Sequence, residues 1–147
     1  MARILAVDPG EKYLGIAISD PTGTLARPLT VLRHRSKAQD VEAILELARA
    51  YRVASIVVGQ ATDAQGRPTT LQARRAANLA RALRGRSGLP VVLWDESFTT
   101  QDTLSIWNLV RRRRRRQDRP DASAAAMLLQ SYLDAQQAAS RTSEAWT

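Results

Sequence analysis

The feature that most constrains the fold is a pair of short apolar runs, separated by an Asp-Pro-Gly turn near the start of the chain. Residues 3–8 and 14–19 have strand-like composition, and the turn that begins at Asp8 connects them directly. The chain is therefore expected to begin with an antiparallel hairpin. An acid closes each strand, Asp8 the first and Asp20 the second. Asp8 is either an ordinary turn residue or a negative charge held at a strand end for a purpose.

Strand-like and helix-like segments follow the hairpin along the chain. The predicted elements are a strand at 29–34, a helix at 40–52, a strand at 54–59, a helix at 69–86, a strand at 90–96, a helix at 100–110 and a last helix from about 121 to 137. This order predicts an α/β fold, a five-stranded mixed sheet whose first three strands are antiparallel, with helices on both faces. It also brings the ends of the first, fourth and fifth strands to one edge. We expect one domain over residues 1–138 and a flexible tail over 139–147.

Composition excludes several kinds of active site. The chain has 147 residues, 44% of them hydrophobic, which suffices for one ordinary core. It has no cysteine and a single histidine, His34, so thiolate nucleophiles and imidazole clusters are excluded. A bound metal would need oxygen ligands, which favours Mg²⁺ or Mn²⁺. The sequence has no membrane-spanning run and no signal peptide, so we expect a soluble cytoplasmic protein without a membrane partner.

Charge is the strongest compositional signal. The formal net charge is +8, and 20 of the 22 basic residues are arginines. A codon bias toward arginine would explain this preference without a function. Guanidinium groups also match phosphate oxygens, and a basic surface attracts nucleic acid, which is the interpretation that we favour.

Three acids stand where strand and helix ends are expected to meet. Asp8 ends the first strand, Glu96 ends the fifth, and Asp121 opens the last helix. Neighbouring strands lie about 4.8 Å apart, so these carboxylates can converge. Clustered carboxylates repel one another unless a cation binds them, and two divalent ions are a known way to hydrolyse a phosphodiester.

Each of these acids also has an ordinary structural explanation. Asp-Pro-Gly is a common turn, and Asp121 after a proline suits a helix N-cap. Glu96, or its neighbour Asp95, is equally compatible with a solvated strand exit. Asp118 competes with Asp121, and spacing alone does not choose between them.

Basic residues near these acids are candidates for nucleic-acid binding. Lys12 lies in the turn after Asp8 and points either at a phosphate or at solvent. A run of six arginines is either a solvated helix extension or a basic arm that binds phosphates without sequence preference. The run comprises Arg111, Arg112, Arg113, Arg114, Arg115 and Arg116.

The ordered motifs resemble those of one family. "DPGEKYLGIAISD", "GTLARPLTVL", "IVVGQ", "DAQG", "DESFTT" and "RPDASAAAMLLQSYL" are similar, in this order, to the motifs of the YqgF family, also called RuvX. Its members are described as Holliday junction resolvases or pre-16S ribosomal RNA nucleases. The resemblance covers residues 3 to about 135. It implies a ribonuclease-H-like fold and metal-dependent nuclease chemistry, with Asp8, Glu96 and Asp121 at the family's acidic positions.

The sequence departs from the family pattern at three places. Ser97 stands where the family usually has arginine, Gln60 begins a divergence from Gly-Leu-Pro, and Tyr13 replaces a basic residue. We expect these departures to affect substrate contact and turnover, since the carboxylates at the family's acidic positions are all present.

Three function classes follow. The main hypothesis is a metal-dependent nuclease for structured DNA or precursor 16S rRNA, with Asp8, Glu96 and Asp121 as catalytic and metal-binding residues. The alternative is a nucleic-acid-binding module of the same fold with little catalysis. A sugar-kinase-like ATPase shares the strand–Asp–x–Gly turn, but such enzymes need two domains and 147 residues supply only one. The sequence leaves both a monomer and a homodimer open.

Overall fold

The computed structural model describes residues 2–60, 71–95 and 121–145. In chain order, its elements are β1 (Ile4–Pro9), β2 (Tyr13–Ser19), β3 (Ala26–Arg33), α1 (Lys37–Ala50), β4 (Ser55–Gln60), α2 (Leu71–Ser87), β5 (Val91–Asp95) and α3 (Ser123–Ala145). The predicted helix at 100–110 lies outside the described residues.

The strands form one five-stranded sheet in the order β3-β2-β1-β4-β5. The β1–β2 and β2–β3 pairs are antiparallel, whereas β1–β4 and β4–β5 are parallel. The predicted mixed sheet with an antiparallel start is therefore confirmed. Because β1, β4 and β5 are parallel, all three end at the same edge of the sheet, which we call the carboxyl edge.

Helices cover both faces of this sheet, as predicted. Side chains alternate along β1, so Leu5 and Val7 pack toward α1 and α2, while Ala6 packs toward α3. The α1/α2 face is built mainly of large aliphatic side chains. The α3 face is built largely of alanine. Its small members are Ala6, Ala17, Ala122, Ala124 and Ala125.

Two elements, α1 and β3, begin about three residues before their predicted starts. Helix α1 begins at Lys37, because the Ser36 side chain accepts a hydrogen bond from the Gln39 N–H and caps the helix. Strand β3 begins at Ala26, whose N–H donates to Gln130 Oε1 of α3 at 2.9 Å. This bond joins residues far apart in the sequence, so no local pattern announced it.

Helix α3 continues to Ala145, beyond the predicted end of the last helix near residue 137. Residues 139–145 include two alanines and no glycine or proline, so they contain no helix breaker. The domain bounds 1–138 and the flexibility of residues 139–147 stay predictions.

Candidate active site

Asp8 is completely buried at the end of β1. Its exposed fraction is 0%, and it lies on the sheet face that α3 covers, since it is two residues beyond Ala6. In β2 it pairs with Gly15, which has no side chain to crowd the carboxylate. Residues directly opposite in an antiparallel pair share a face, so the glycine leaves room beside the acid. Gly15 therefore relieves crowding between the two strands.

A second glycine flanks Asp8 on the other side. The β1–β4 register pairs Val7 with Val58, so Gly59 is the next β4 residue in line with Asp8. A Cβ atom on Gly59 would lie 2.7 Å from Leu128 Cδ2 of α3, which is too close for a real contact. Helix α3 therefore packs tightly onto the sheet beside Asp8. A glycine at the end of a β-branched run, as at Gly59, often marks such a close approach.

Asp121 lies at the start of α3 and is exposed. Its Oδ1 accepts hydrogen bonds from the Ser123 N–H at 3.0 Å and from the Ser123 hydroxyl at 2.5 Å. These bonds are those of an N-terminal capping residue, so the structural explanation of Asp121 has a direct basis. Both bonds end on the same carboxylate oxygen.

Helix α3 is held to the sheet at two places. Leu128 packs on Gly59 near the carboxyl edge, while the Gln130 side chain bonds to the backbone of Thr24 and Ala26 at the opposite edge. These contacts hold α3 against the face of the sheet on which Asp8 lies. That Asp121 lies beside Asp8 stays a prediction.

Glu96, the third predicted acid, lies outside the described residues, as do its competitor Asp118 and the departure Ser97. Asp95 is the last residue of β5, where it pairs with Gln60. Residues 2–60, 71–95 and 121–145 contain no group of three His, Cys, Asp or Glu residues able to hold a metal ion. Glu96 is not among these residues, so this absence does not bear on the predicted trio.

The loop after Asp8 presents Lys12 to solvent on a fixed backbone. The Gly10 N–H donates to the Tyr13 carbonyl at 2.9 Å, and the His34 N–H donates to the Lys12 carbonyl at 2.8 Å. Lys12 is exposed and Tyr13 is 37% exposed. The arginines from 111 to 116 lie outside the described residues, so their part in binding stays a prediction.

Gln60 has a structural contact that explains its presence. Its side chain is buried, and Nε2 donates a hydrogen bond to the Ala73 carbonyl of α2 at 3.1 Å. Two residues before it, Val58 packs on the α1/α2 face, so Gln60 points away from the face of Asp8. The departure from the family pattern at this position therefore fastens β4 to α2.

A polar cluster on the α1/α2 side of the carboxyl edge was not foreseen. His34 Nδ1 lies 2.5 Å from Asp40 Oδ2, and Arg75 Nη2 lies 2.6 Å from His34 Nε2. Asp40 Oδ1 also accepts from the Arg35 N–H at 3.1 Å. No spacing in the sequence indicated this cluster, because Arg75 lies on α2, far from His34 along the chain.

Trp94 of β5 is a core residue. Its ring packs edge-to-face against Tyr132 of α3, with centroids 5.2 Å apart and planes at 83°. Burial raises the pKa of the Tyr132 hydroxyl above its usual value. The pair anchors α3 across the parallel half of the sheet.

Within the described ranges, no helix has the length and apolar character needed to cross a bilayer.

Known proteins with similar sequences and folds match almost the whole chain. The RuvX family model, described as Holliday junction resolvase, matches residues 2–135. A relative from Symbiobacterium thermophilum, named as a pre-16S rRNA nuclease, is 43% identical over 92% of this chain and 94% of its own. A relative of the same name from Caldanaerobacter subterraneus is 37% identical over 91% of this chain and 97% of its own.

A solved structure supports the fold independently of sequence. T. thermophilus RuvC in complex with a Holliday junction substrate matches with a TM-score of 0.60 at 15% identity, covering 94% of this chain and 97% of that one. The predicted ribonuclease-H-like fold and the nuclease class are confirmed by these comparisons. The chain belongs to the RuvX family of Holliday junction resolvases.

Proposed function

We propose that this chain is a divalent-metal-dependent nuclease that hydrolyses phosphodiester bonds in junction-like DNA or in precursor 16S rRNA. The two substrate classes are those in the names of its family and of its relatives. Nucleases and resolvases with this fold generally use divalent metal ions.

The observation that carries the proposal is the burial of Asp8. Removing a carboxylate from water is costly, so a fully buried acid at a strand end is a candidate for a functional group. Asp8 has an exposed fraction of 0% at the end of β1, between two glycines and on the face that α3 covers. A residue needed only for the turn would gain nothing from such a position.

The residues at this edge suit Mg²⁺ or Mn²⁺. Asp8, Glu96 and Asp121 offer only carboxylate oxygens, which are the ligands these hard cations prefer. In our proposal these three residues hold the metal and are the catalytic residues. When bound, the metal would supply activation of the attacking water and stabilisation of the leaving oxygen.

The basic residues of the chain would hold the substrate. Lys12 extends into solvent three residues beyond Pro9, close to the buried acid along the chain. In our proposal it binds the nucleic-acid backbone together with the arginines from 111 to 116. A net charge of +8 gives this binding a steep salt dependence and little sequence preference.

A cleavage assay tests the proposal. It compares wild type with Asp8→Asn on labelled single-stranded RNA, single-stranded DNA, a four-way junction and a precursor 16S fragment, with Mg²⁺, with Mn²⁺ and with a chelator. We expect metal-dependent cutting that falls about 100-fold or more in Asp8→Asn, the scale on which removing one charge-stabilising group lowers kcat. Binding of the substrate should be retained.

Asp20→Asn is the matched control, because it makes the same change at the other end of the same hairpin. It should cut like wild type. Full activity of Asp8→Asn would refute the proposed role of this acid. Binding by wild type without cleavage of any substrate would instead identify a nucleic-acid-binding module.

A further inference from the structure

The cluster of His34, Asp40 and Arg75 borders a cavity of about 100 Å³ at the carboxyl edge. The cavity lies beside Pro9 and Gly10, the two residues that follow Asp8. It opens on the α1/α2 side of the sheet, whereas the Asp8 side chain is on the α3 side. Its polar lining consists of His34, Lys37, Asp40, Arg75 and Asn78.

The hydrogen bonds of the cluster fix its protonation pattern. Arg75 can only donate, so His34 Nε2 must accept and carry no proton. The ring proton is then on Nδ1, from which it is donated to Asp40 Oδ2. Asp40 is 6% exposed and is held in turn by the Arg35 N–H. A buried carboxylate thus orients a neutral histidine, and the histidine orients the guanidinium of Arg75.

This arrangement leaves Arg75 available for a ligand. Within the described part of the chain, only one of its N–H groups makes a hydrogen bond, the one to His34. Lys37 is exposed at the same cavity and is the first residue of α1, whose amino-terminal dipole also favours an anion. A guanidinium fork is well suited to bind the oxygens of a phosphate.

We propose that this cavity binds a backbone phosphate of the nucleic acid, next to the phosphate that is cut at Asp8. This inference rests on the proposed function, which places the nucleic-acid strand at Asp8. Because the cavity and Asp8 are at the same edge of the sheet, a strand that is cut at Asp8 also passes the cavity. In it, Arg75 and Lys37 contact the phosphate, while His34 and Asp40 are positioning residues that act through Arg75. The strand would therefore cross the carboxyl edge from one face of the sheet to the other.

The salt dependence of binding tests the site without any cleavage. Anisotropy of a labelled four-way junction and of a labelled single-stranded RNA is measured in chelator at several salt concentrations. Each phosphate contact contributes about 0.9 to the slope of log K against log salt for duplex DNA and about 0.7 for single strands. Arg75→Ala should lower the slope by about that amount and weaken binding about tenfold at low salt.

Arg81→Ala is the matched control, since Arg81 is an exposed arginine of the same helix that does not line the cavity. Its slope should change less than that of Arg75→Ala. Lys37→Ala should lower the slope as Arg75→Ala does, and because Lys37 is exposed, this variant keeps its fold whether or not Arg75→Ala does. His34→Phe removes the acceptor that orients Arg75 but no formal charge. It should weaken binding less than Arg75→Ala.

The possible outcomes distinguish a failure of the proposed phosphate site from a failure of the proposed nuclease activity. Unchanged slopes in Lys37→Ala and Arg75→Ala would overturn the phosphate site, even in a protein that cuts normally. Lowered slopes in a protein that cuts nothing would support the site and refute the nuclease. If inorganic phosphate alone raised the Tm of wild type but not of Arg75→Ala, while nucleic-acid binding was unaffected, the cavity would be a site for a free anion and the backbone assignment would be wrong.

Discussion

Two acids close the two strands of the first hairpin, and the structure gives them opposite surroundings. Each precedes a proline, and a glycine follows soon after, so their local sequences are alike. Asp20 accepts hydrogen bonds from its own turn, from the N–H groups of Thr24 and Leu25 at 2.8 and 3.0 Å and from the Thr22 hydroxyl. Asp8 is completely buried beneath α3 instead.

The comparison shows that tertiary packing, rather than the turn motif, makes the surroundings of the two acids differ. The hydrogen bonds of its turn lower the pKa of Asp20 to about 2, the backbone bond from Leu25 contributing most. Asp20 therefore stabilises the turn in which it lies. Asp8 lies on a face of the sheet where glycines and alanines let a helix approach closely.

The largest effect on stability is expected from Gly59, which sets that close approach. Gly59→Ala places a methyl group 2.7 Å from Leu128 Cδ2, in a buried and tightly packed contact. We expect it to lower the free energy of unfolding by about 1–3 kcal/mol, as overpacking does. Denaturant unfolding monitored by circular dichroism measures the change.

Gly85→Ala is the control for this substitution, because nothing lies within 4 Å of the position where its Cβ would be. As an alanine in a helix, it should stabilise the protein by about 0.5–1 kcal/mol. Equal effects of the two substitutions would mean that α3 does not pack tightly beside Asp8. Helix packing would then not distinguish the surroundings of Asp8 from those of Asp20.

A smaller effect, dependent on pH, is expected from Asp20. Its pKa in the folded protein is lowered from 3.8 to about 2, so its carboxylate stabilises the fold above pH 3.8. This stabilisation should be lost as the pH falls through this range. Asp20→Asn keeps an oxygen acceptor but cannot titrate, so its deficit relative to wild type should shrink between about pH 5 and about pH 2.

Denaturant unfolding of the two proteins across this range measures that deficit. If it stayed constant with pH, the turn bonds would not depend on the charge of Asp20. The two acids would then differ in burial, but the charge of Asp20 would not stabilise its turn.

Much of the fold could be predicted from local patterns. Strands β1, β2, β4 and β5 were placed within about two residues, because short apolar runs bounded by turn residues are a strong signal. The mixed sheet with an antiparallel start followed from the alternation of strands and helices. The start of β3 could not be placed, because Gln130 of a distant helix fixes it.

The candidate site was predictable only in part. Asp8 was identified from its place after an apolar strand, but its burial depends on Gly59 and Leu128, which belong to different elements. The cluster of His34, Asp40 and Arg75 joins a strand end to two helices, so no spacing in one sequence reveals it. The assignment of Glu96 stays a prediction, because this residue lies outside the described part of the chain.

The central claim is that Asp8, the buried acid of the first hairpin, is a metal ligand and that its counterpart Asp20 is not. A calorimetric titration with Mn²⁺ of wild type, Asp8→Asn and Asp20→Asn tests this most directly, with circular dichroism to confirm that each protein is folded. Wild type and Asp20→Asn should bind Mn²⁺ alike, and Asp8→Asn should bind it at least about tenfold more weakly. Equal binding by all three folded proteins would contradict the claim and make Asp8 a structural residue.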